Sequence, residues 1–490
     1  MLWIALYLPQ LPLDLATRRW PDALHANMPL AITQARRIGW ANPCALQAGI
    51  VPGMPESAAH TRLANIVLIP RDVTLEADAV TEAVLWALHF TPQVSVLEQG
   101  LLMEVSASLR LFGGLDALLQ QLRGGILELG FTPQLASAPT AAAAWIFALQ
   151  ADGLQGDHAN FAGLLARLPV SLLVSVQPHL DALQAIGCQR IGQLRDLPRG
   201  GIARRFGKDV LQELDRAYGV EPEVHAWYEP PASFSARMEL GARVDTTEAL
   251  MHSARRMLMQ MTGWLVARHS AVRQFSLLLH HETLRYREKK VTTLPITLAS
   301  ASRDLAHLNL LLQEHLAKVD LSSSVIELGL QADEVELLAA PNTELFPAPV
   351  SQTEACGRLL ERLASRLGEA AICRLAITGE HRPERSSVMQ AAHAQKPRSP
   401  IAGMPFAARP AWLLAQPLGL MVRGHKPFYQ GVLRLLAGPE RIEAGWWDDG
   451  LAARDYFIAA NEGHLLLWIF RERQGADMVE EGWFLHGYFG

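Results

Sequence analysis

No stretch of eighteen or more apolar residues occurs in this sequence, although half of its residues are hydrophobic, so no membrane-crossing helix is expected. The apolar opening lasts only about eight residues before Pro9, has no Lys or Arg ahead of it and runs into no small-residue cleavage site, so no secretory signal is expected. Cysteine is scarce. Cys44, Cys188, Cys356 and Cys373 are scattered, with no C-x-x-C pair and no histidine partner at zinc spacing, so buried, reduced thiols in a cytoplasmic protein are expected, with no metal and no cofactor. Positive charge is not in excess either: the net charge of −5 excludes a uniformly basic nucleic-acid binder.

What is present is locally uneven. The stretch 185–208 holds Arg190, Arg195, Arg199, Arg204, Arg205 and Lys208 against Asp196 alone, and 252–290 holds Arg255, Arg256, Arg268, Arg273, Arg285, Arg287, Lys289 and Lys290 against Glu282 and Glu288. Two basic patches in an acidic chain suit contact with phosphates. A chain of 490 residues is also too long for one core, and roughly three to five domains are expected.

Hydrophobic patterning gives an α+β multidomain reading. Residues 2–8 read as a short buried strand and 94–106 as another, with helices over 76–88 and 115–129, a strand over 134–137 and an alanine-rich helix over 141–150. The intervening 12–72, broken by Pro and Gly, reads as a small inserted subdomain. From 161 to 225 short helices alternate with glycine turns. Helix 181–185, the turn Ile186-Gly187-Cys188 and a helix resuming at 191, with Gly192 in its first turn, form a helix-hairpin-helix pattern whose turn is suited to present backbone N–H groups to a phosphate. A Pro-rich linker around 228–231 precedes strand 234–240, helix 246–266, strands 272–280 and 289–297, helix 303–319 and strand 325–331, a β-α-β-β-α-β unit. A loose connector is expected over 336–409, and a compact β-rich domain over 410–490, which carries five of the twelve tryptophans.

Set beside these elements, the motifs resemble those of the Y-family (lesion-bypass) DNA polymerases. That family's first strand carries Asp-x-Asp-x-Phe-(Tyr/Phe), which falls here on Tyr7, Leu8, Pro9, Gln10, Leu11 and Pro12. Its Asp-Glu pair falls on Gln99 and Gly100, ahead of Leu102-Met103-Glu104-Val105-Ser106, and a slip of one residue brings in only Glu98. The fingers motif appears as Asn42-Pro43-Cys44-Ala45-Leu46-Gln47-Ala48-Gly49-Ile50-Val51-Pro52-Gly53-Met54, with Pro43 and Leu46 at the tyrosine and arginine that hold the triphosphate. The Ala-Pro-Asn-Lys helix start appears as Ala138-Pro139-Thr140-Ala141, and the second lysine as Trp145. Nucleotidyl transfer uses two cations about 4 Å apart held by carboxylates, and one carboxylate cannot hold both.

The resemblance therefore implies a palm (1–11 and 73–160), fingers (12–72), a helix-hairpin-helix thumb (161–225), a linker with the first little-finger strand (226–240) and a little finger (241–335), with the catalytic positions Tyr7, Gln99, Gly100, Pro43 and Leu46 lost. The tail, with Gly438-Pro439-Glu440-Arg441, Trp446-Trp447 and Trp483-Phe484-Leu485-His486-Gly487, resembles that of the ImuB group, the non-catalytic members of the bacterial mutagenesis cassette. That group implies an adaptor in damage-induced (SOS) mutagenesis that binds primer-template DNA, docks on the sliding clamp and recruits an error-prone C-family DNA polymerase and an ImuA-type, RecA-like partner. DNA contact is expected at Gly187, Arg190, Gly192, Arg204, Arg205 and Lys208 in the thumb, and at Arg273, Arg285, Arg287, Lys289 and Lys290 in the little finger. The segment Asn342-Thr343-Glu344-Leu345-Phe346 resembles the clamp peptide Gln-Leu-x-Leu-Phe, with Leu345 and Phe346 as apolar anchors; Gln10-Leu11-Pro12-Leu13 is a superficial second match placed where packing is expected. An active lesion-bypass polymerase with unusual metal ligands is the alternative reading.

Overall fold

Alternation of apolar side chains along Trp3–Tyr7 buries both faces of this strand, which fits only a central position in a sheet covered on both sides. In the computed structural model it has that place. The structure describes residues 1–18, 28–282, 291–321, 323–338, 350–391, 408–448, 450–473 and 482–489, in two units, Met1–Arg362 and Leu363–Gly490. Among the described residues no helix is long and apolar enough to cross a membrane.

In the first unit the palm-like sheet runs Val94–Leu97, Gly100–Glu104, Trp3–Tyr7, Gln134–Ala138, antiparallel throughout. The stretch 94–106 is thus a hairpin rather than one strand, because Glu98 and Gln99 make a tight turn between the two strands. Ile4, Leu6 and Leu8 face a core shared with helices Val73–Ala87 and Leu115–Glu128, while Trp3 and Ala5 face helix Ala141–Gln150 and the short helices of 161–217. Asp72 caps the first of these helices by accepting from Thr74 N and Leu75 N, so the helix starts three residues earlier than its apolar period suggests. Within 28–72, Leu30–Gln34 pairs antiparallel with Arg37–Ala41 and parallel with Val67–Pro70.

The β-α-β-β-α-β unit is present as Ser235–Val244, Thr247–Ala267, Ser270–His281, Val291–Ser302, Leu305–Leu316 and Val325–Leu337, with its strands ordered Val291–Ser302, Ser270–His281, Val325–Leu337, Ser235–Val244. Its long helix is buried on nearly every side from Met257 to Leu265, since it lies between its own sheet and the palm-like helices. Gly263 makes this possible: a Cβ there would overlap the carbonyl oxygen of Leu85. One continuous core consequently joins palm and little finger.

The connector is more ordered than its composition suggests. It contains helix Val350–Leu367 and the hairpin of Cys373–Ile377 with Ser387–Ala391, because Leu375 and Met389, and Ala376 and Val388, pair across it. All four cysteines are free, but only Cys188 is buried; Cys44 is half-buried and Cys356 and Cys373 are exposed, which corrects the expectation of buried thiols. In the second unit a six-stranded antiparallel sheet is ordered Lys426–Phe428, Trp412–Arg423, Trp483–Tyr488, Leu466–Glu472, Ala452–Ala460, Arg434–Ala444. Leu433, Ala459, Leu467, Ile469 and Leu485 form one small core and Ile442, Tyr456, Trp468 and Phe470 another.

Candidate functional site

The residues at three of the four lost carboxylate positions, Tyr7, Gln99 and Gly100, meet at one sheet end. Tyr7 lies in register between Gly100 on one side and Gln134 on the other, and Leu8 N donates to the carbonyl of Gln99 at 2.9 Å. The Tyr7 ring packs edge-on against Trp145 (centroids 5.6 Å apart, planes at 81°), so the two side chains standing for the family's aspartate and second lysine fill each other's space. Burial pushes the Tyr7 phenol up, which keeps it neutral and a poor metal ligand. Gly100 has no room for a side chain, since a Cβ would overlap the carbonyl oxygen of Leu6, a backbone atom that no rotamer change moves away. Glu98 points into solvent and sits 3.8 Å from the Arg71 guanidinium, which also holds Glu76 through two contacts of 2.7 Å. A phenol, a carboxamide and a glycine do not fit a pair of divalent cations. Among the described residues, no three His, Cys, Asp or Glu side chains gather to hold a metal ion.

Pro43 and Leu46 line a cavity of about 550 Å³ between the fingers-like helix Pro43–Gln47 and helix Leu11–Arg18. The helix forms locally because Asn42 caps it, accepting from Ala45 N at 2.9 Å and Leu30 N at 3.1 Å while its amide donates to Met28 O at 2.7 Å. The ionisable carboxyl in this cavity is Asp14. It accepts from Thr132 N at 2.7 Å and Thr132 Oγ1 at 3.1 Å, yet burial outweighs these bonds and pushes its pKa up to about 6. Among the described residues no Lys or Arg lines the cavity, so a triphosphate would meet an apolar wall and an acid. Nearby, the indole N–H of Trp40 donates to Pro9 O at 3.0 Å and ties fingers to palm.

In the thumb, helices Leu180–Ala185 and Ile191–Asp196 flank the turn as expected, and Arg190, Arg204, Arg205 and Lys208 are exposed. The turn's own amides are engaged internally: Gly187 N with Gln184 O, Cys188 N with Leu183 O, Gln189 N and Arg190 N with Gln193 Oε1, and Ile191 N with Leu168 O. The amides of residues 187–191 are therefore already bonded within the thumb. Two further cations of the 185–208 stretch are committed elsewhere, Arg199 in a bidentate pair with Asp215 and Arg195 over the Tyr218 ring at 4.0 Å.

The second basic stretch disperses on folding. Arg255 bonds Glu128, Arg256 donates to the carbonyl of Glu128 and Arg268 to that of Pro231, so these three grip the palm and linker. Arg273, exposed on an otherwise largely buried strand, pairs with Glu336 at 3.1 Å. Arg285, Arg287, Lys289 and Lys290 lie outside the described residues, as do Asn342, Glu344, Leu345 and Phe346 of the candidate clamp segment. In the second match, Leu11 and Leu13 are buried, as expected for packed residues.

Sequence reasoning missed the strap made by 223–228. Glu223 accepts from Ala142 N in the first turn of helix Ala141–Gln150 (3.1 Å), His225 and Trp227 pack on Trp3 with centroids 4.5 and 6.0 Å away, and Tyr228 N pairs with Val94 O at 2.8 Å. The alternation His225-x-Trp227 just ahead of the Pro-rich linker was the available signal.

An antiparallel palm with an inserted fingers-like sheet, a helix-hairpin-helix thumb and a β-α-β-β-α-β module, in that chain order, define a polymerase-like body of the Y-family class. The model of the impB/mucB/samB family matches residues 13–148. Protein ImuB of Caulobacter vibrioides, in each of two strains, is 27% identical over 465 residues, covering 90% of this chain and 100% of the relative. Among solved structures, an insertion ternary complex of Dbh DNA polymerase is similar with a TM-score of 0.40 at 14% identity, covering 69% of this chain and 100% of that one. DinB from Sulfolobus solfataricus is similar with a TM-score of 0.39 at 16% identity, with coverage of 69% and 100%. The chain is thus similar to ImuB over nearly its whole length and to the impB/mucB/samB family over 13–148.

Proposed function

We propose that this protein is a non-catalytic, DNA-binding adaptor of translesion synthesis and damage-induced mutagenesis in the cytoplasm. The observation that carries the reading is the sheet end where Tyr7 packs on Trp145 and Gly100 excludes any side chain, so these positions offer no carboxylate to the two-cation chemistry of nucleotidyl transfer. The acid-lined cavity at Pro43 and Leu46 supports it from the nucleotide's side. In this reading the thumb cations Arg190, Arg204, Arg205 and Lys208, with the 285–290 segment, hold DNA through phosphates without sequence preference. Segment 342–346 engages the sliding clamp, and the C-terminal unit recruits the C-family polymerase and the ImuA-type partner. Primer extension with purified protein tests the core of it. No template-dependent incorporation is expected with Mg²⁺ or Mn²⁺, and none from Tyr7→Asp; incorporation by a preparation free of other polymerases overturns the reading in favour of an active enzyme with unusual ligands.

A further inference from the structure

The turn that follows strand Arg434–Ala444 carries two tryptophans that the fold holds out to solvent. Trp446 and Trp447 are 74% and 57% exposed, pack against each other at right angles with centroids 4.6 Å apart, and are followed by Leu451 at 68% exposure. Large aromatics are costly to leave in water, and Trp468 of the same sheet is fully buried, so exposure here is a property of the site rather than of the residue type.

The turn is rigid from below. Arg382, with only 3% of its side chain exposed, sends one guanidinium nitrogen to Asp448 Oδ1 (2.8 Å) and to Gly450 O (2.9 Å), and the other to Asp448 Oδ2 and Glu380 Oε2 (both 2.7 Å). Gly450 N closes the turn onto Asp448 Oδ1 at 2.8 Å. A buried fork thus fixes the chain directly after the indoles, and Asp448 N closes back on Gly445 O at 3.3 Å ahead of them, so less loop entropy is left to be lost on binding.

Charge decides what such a knuckle fits. Arg382 and Arg385 are committed to Asp448, Arg454 to Glu384 and Arg473 to Glu443, so these arginines are neutralised within the unit. Single-stranded nucleic acid needs cations beside its stacking platform, and the perpendicular ring pair leaves no parallel slot for a base. We infer that Trp446 and Trp447, with Leu451, form a preorganised anchor that inserts into an apolar, uncharged pocket on a partner protein. The inference rests on the reading of the C-terminal unit as the recruitment module, and it assigns that function to one turn.

The test uses the full chain and, as probes, the purified ImuA-type protein and the purified C-family polymerase. Trp446→Ala with Trp447→Ala is expected to weaken binding of at least one probe tenfold or more, with an unchanged melting temperature because both rings are exposed. Trp446→Phe with Trp447→Phe is expected to stay within about threefold of wild type, since aromatic area is retained. Removal of 410–490 serves as the reference. If removal abolishes binding and the double alanine variant does not, the knuckle is not the anchor, although the recruitment reading stands. If removal leaves both probes bound, both fail. A double alanine variant that binds both probes normally but loses affinity for an oligothymidylate makes the turn a base-stacking platform and overturns the inference.

Discussion

Gly100→Ala adds one methyl group and is expected to unfold the palm-like sheet early. The added Cβ overlaps Leu6 O and lies 3.0 Å from Leu6 C and 3.1 Å from Tyr7 Cα, all backbone atoms of the central strand. No side chain can rotate away, so Gly100–Glu104 must shift against Trp3–Tyr7, whose five residue pairs include Tyr7 with Gly100 itself. Overpacking of this kind costs about 1–3 kcal/mol and a weakened ladder bond about 1 kcal/mol more, roughly 2–4 kcal/mol together. Urea unfolding followed by circular dichroism reads this as a lower midpoint at unchanged slope. Gln99→Ala, one residue earlier in a half-exposed turn, is the control and is expected to stay within about 0.5 kcal/mol. The functional consequence is direct: Asp or Glu at 100 carries the same overlap plus a charge, so a second metal ligand cannot be restored there by substitution alone. A Gly100→Ala protein with the wild-type midpoint refutes the steric argument and removes the strongest reason to regard the site as closed to repair.

Asp14→Asn tests the cavity through pH. The carboxyl has a folded pKa of about 6 against 3.8 in the unfolded chain, so the native state holds its proton more tightly and stability falls as pH rises from about 4 to about 6 and stays low above. The amide is expected to gain about 1–3 kcal/mol near pH 7.5 and nothing near pH 3, by urea midpoints; an equal effect at both pH values refutes the burial argument. Neutralising Arg204, Arg205 and Lys208 to Gln is expected to weaken binding alike on unrelated DNA sequences, lowering the salt slope by about 0.9 for each phosphate that is no longer neutralised; an unchanged slope means that the thumb cations only face water. Leu345→Ala with Phe346→Ala is expected to weaken clamp binding more than about tenfold, or at least roughly 1.4 kcal/mol, with DNA affinity unaffected; wild-type clamp affinity places the docking segment elsewhere.

Much of the fold was legible because its signals are local. The β-α-β-β-α-β unit follows from alternation and helical period within each element; its elements stand in the expected order, although strands Val291–Ser302 and Val325–Leu337 run on past their expected ends at 297 and 331. The helix over 141–150 has the expected bounds because Thr140 caps it and Ala151 leaves helical geometry. The hairpin within 94–106 was not legible as two strands, since apolar residues on both sides of Glu98-Gln99 hide the turn from a periodicity argument. Nor was the destination of Arg255, Arg256 and Arg268, because a run of cations gives charge but not partners.

By itself the sequence determined which chemistry is absent from the first strand's end, since Tyr7, Gln99 and Gly100 carry no carboxylate in any conformation. It also determined the order of the modules, because each is patterned by interactions close in sequence. Tertiary structure alone decided that Gly100 is sterically sealed, that Tyr7 finds Trp145, that helix Thr247–Ala267 welds little finger to palm, and that Trp446 and Trp447 stay exposed while Trp468 is buried. Each of these depends on how closely two segments distant in the chain approach one another. Such an approach is fixed by packing across the whole unit, and local propensity contains no term for it.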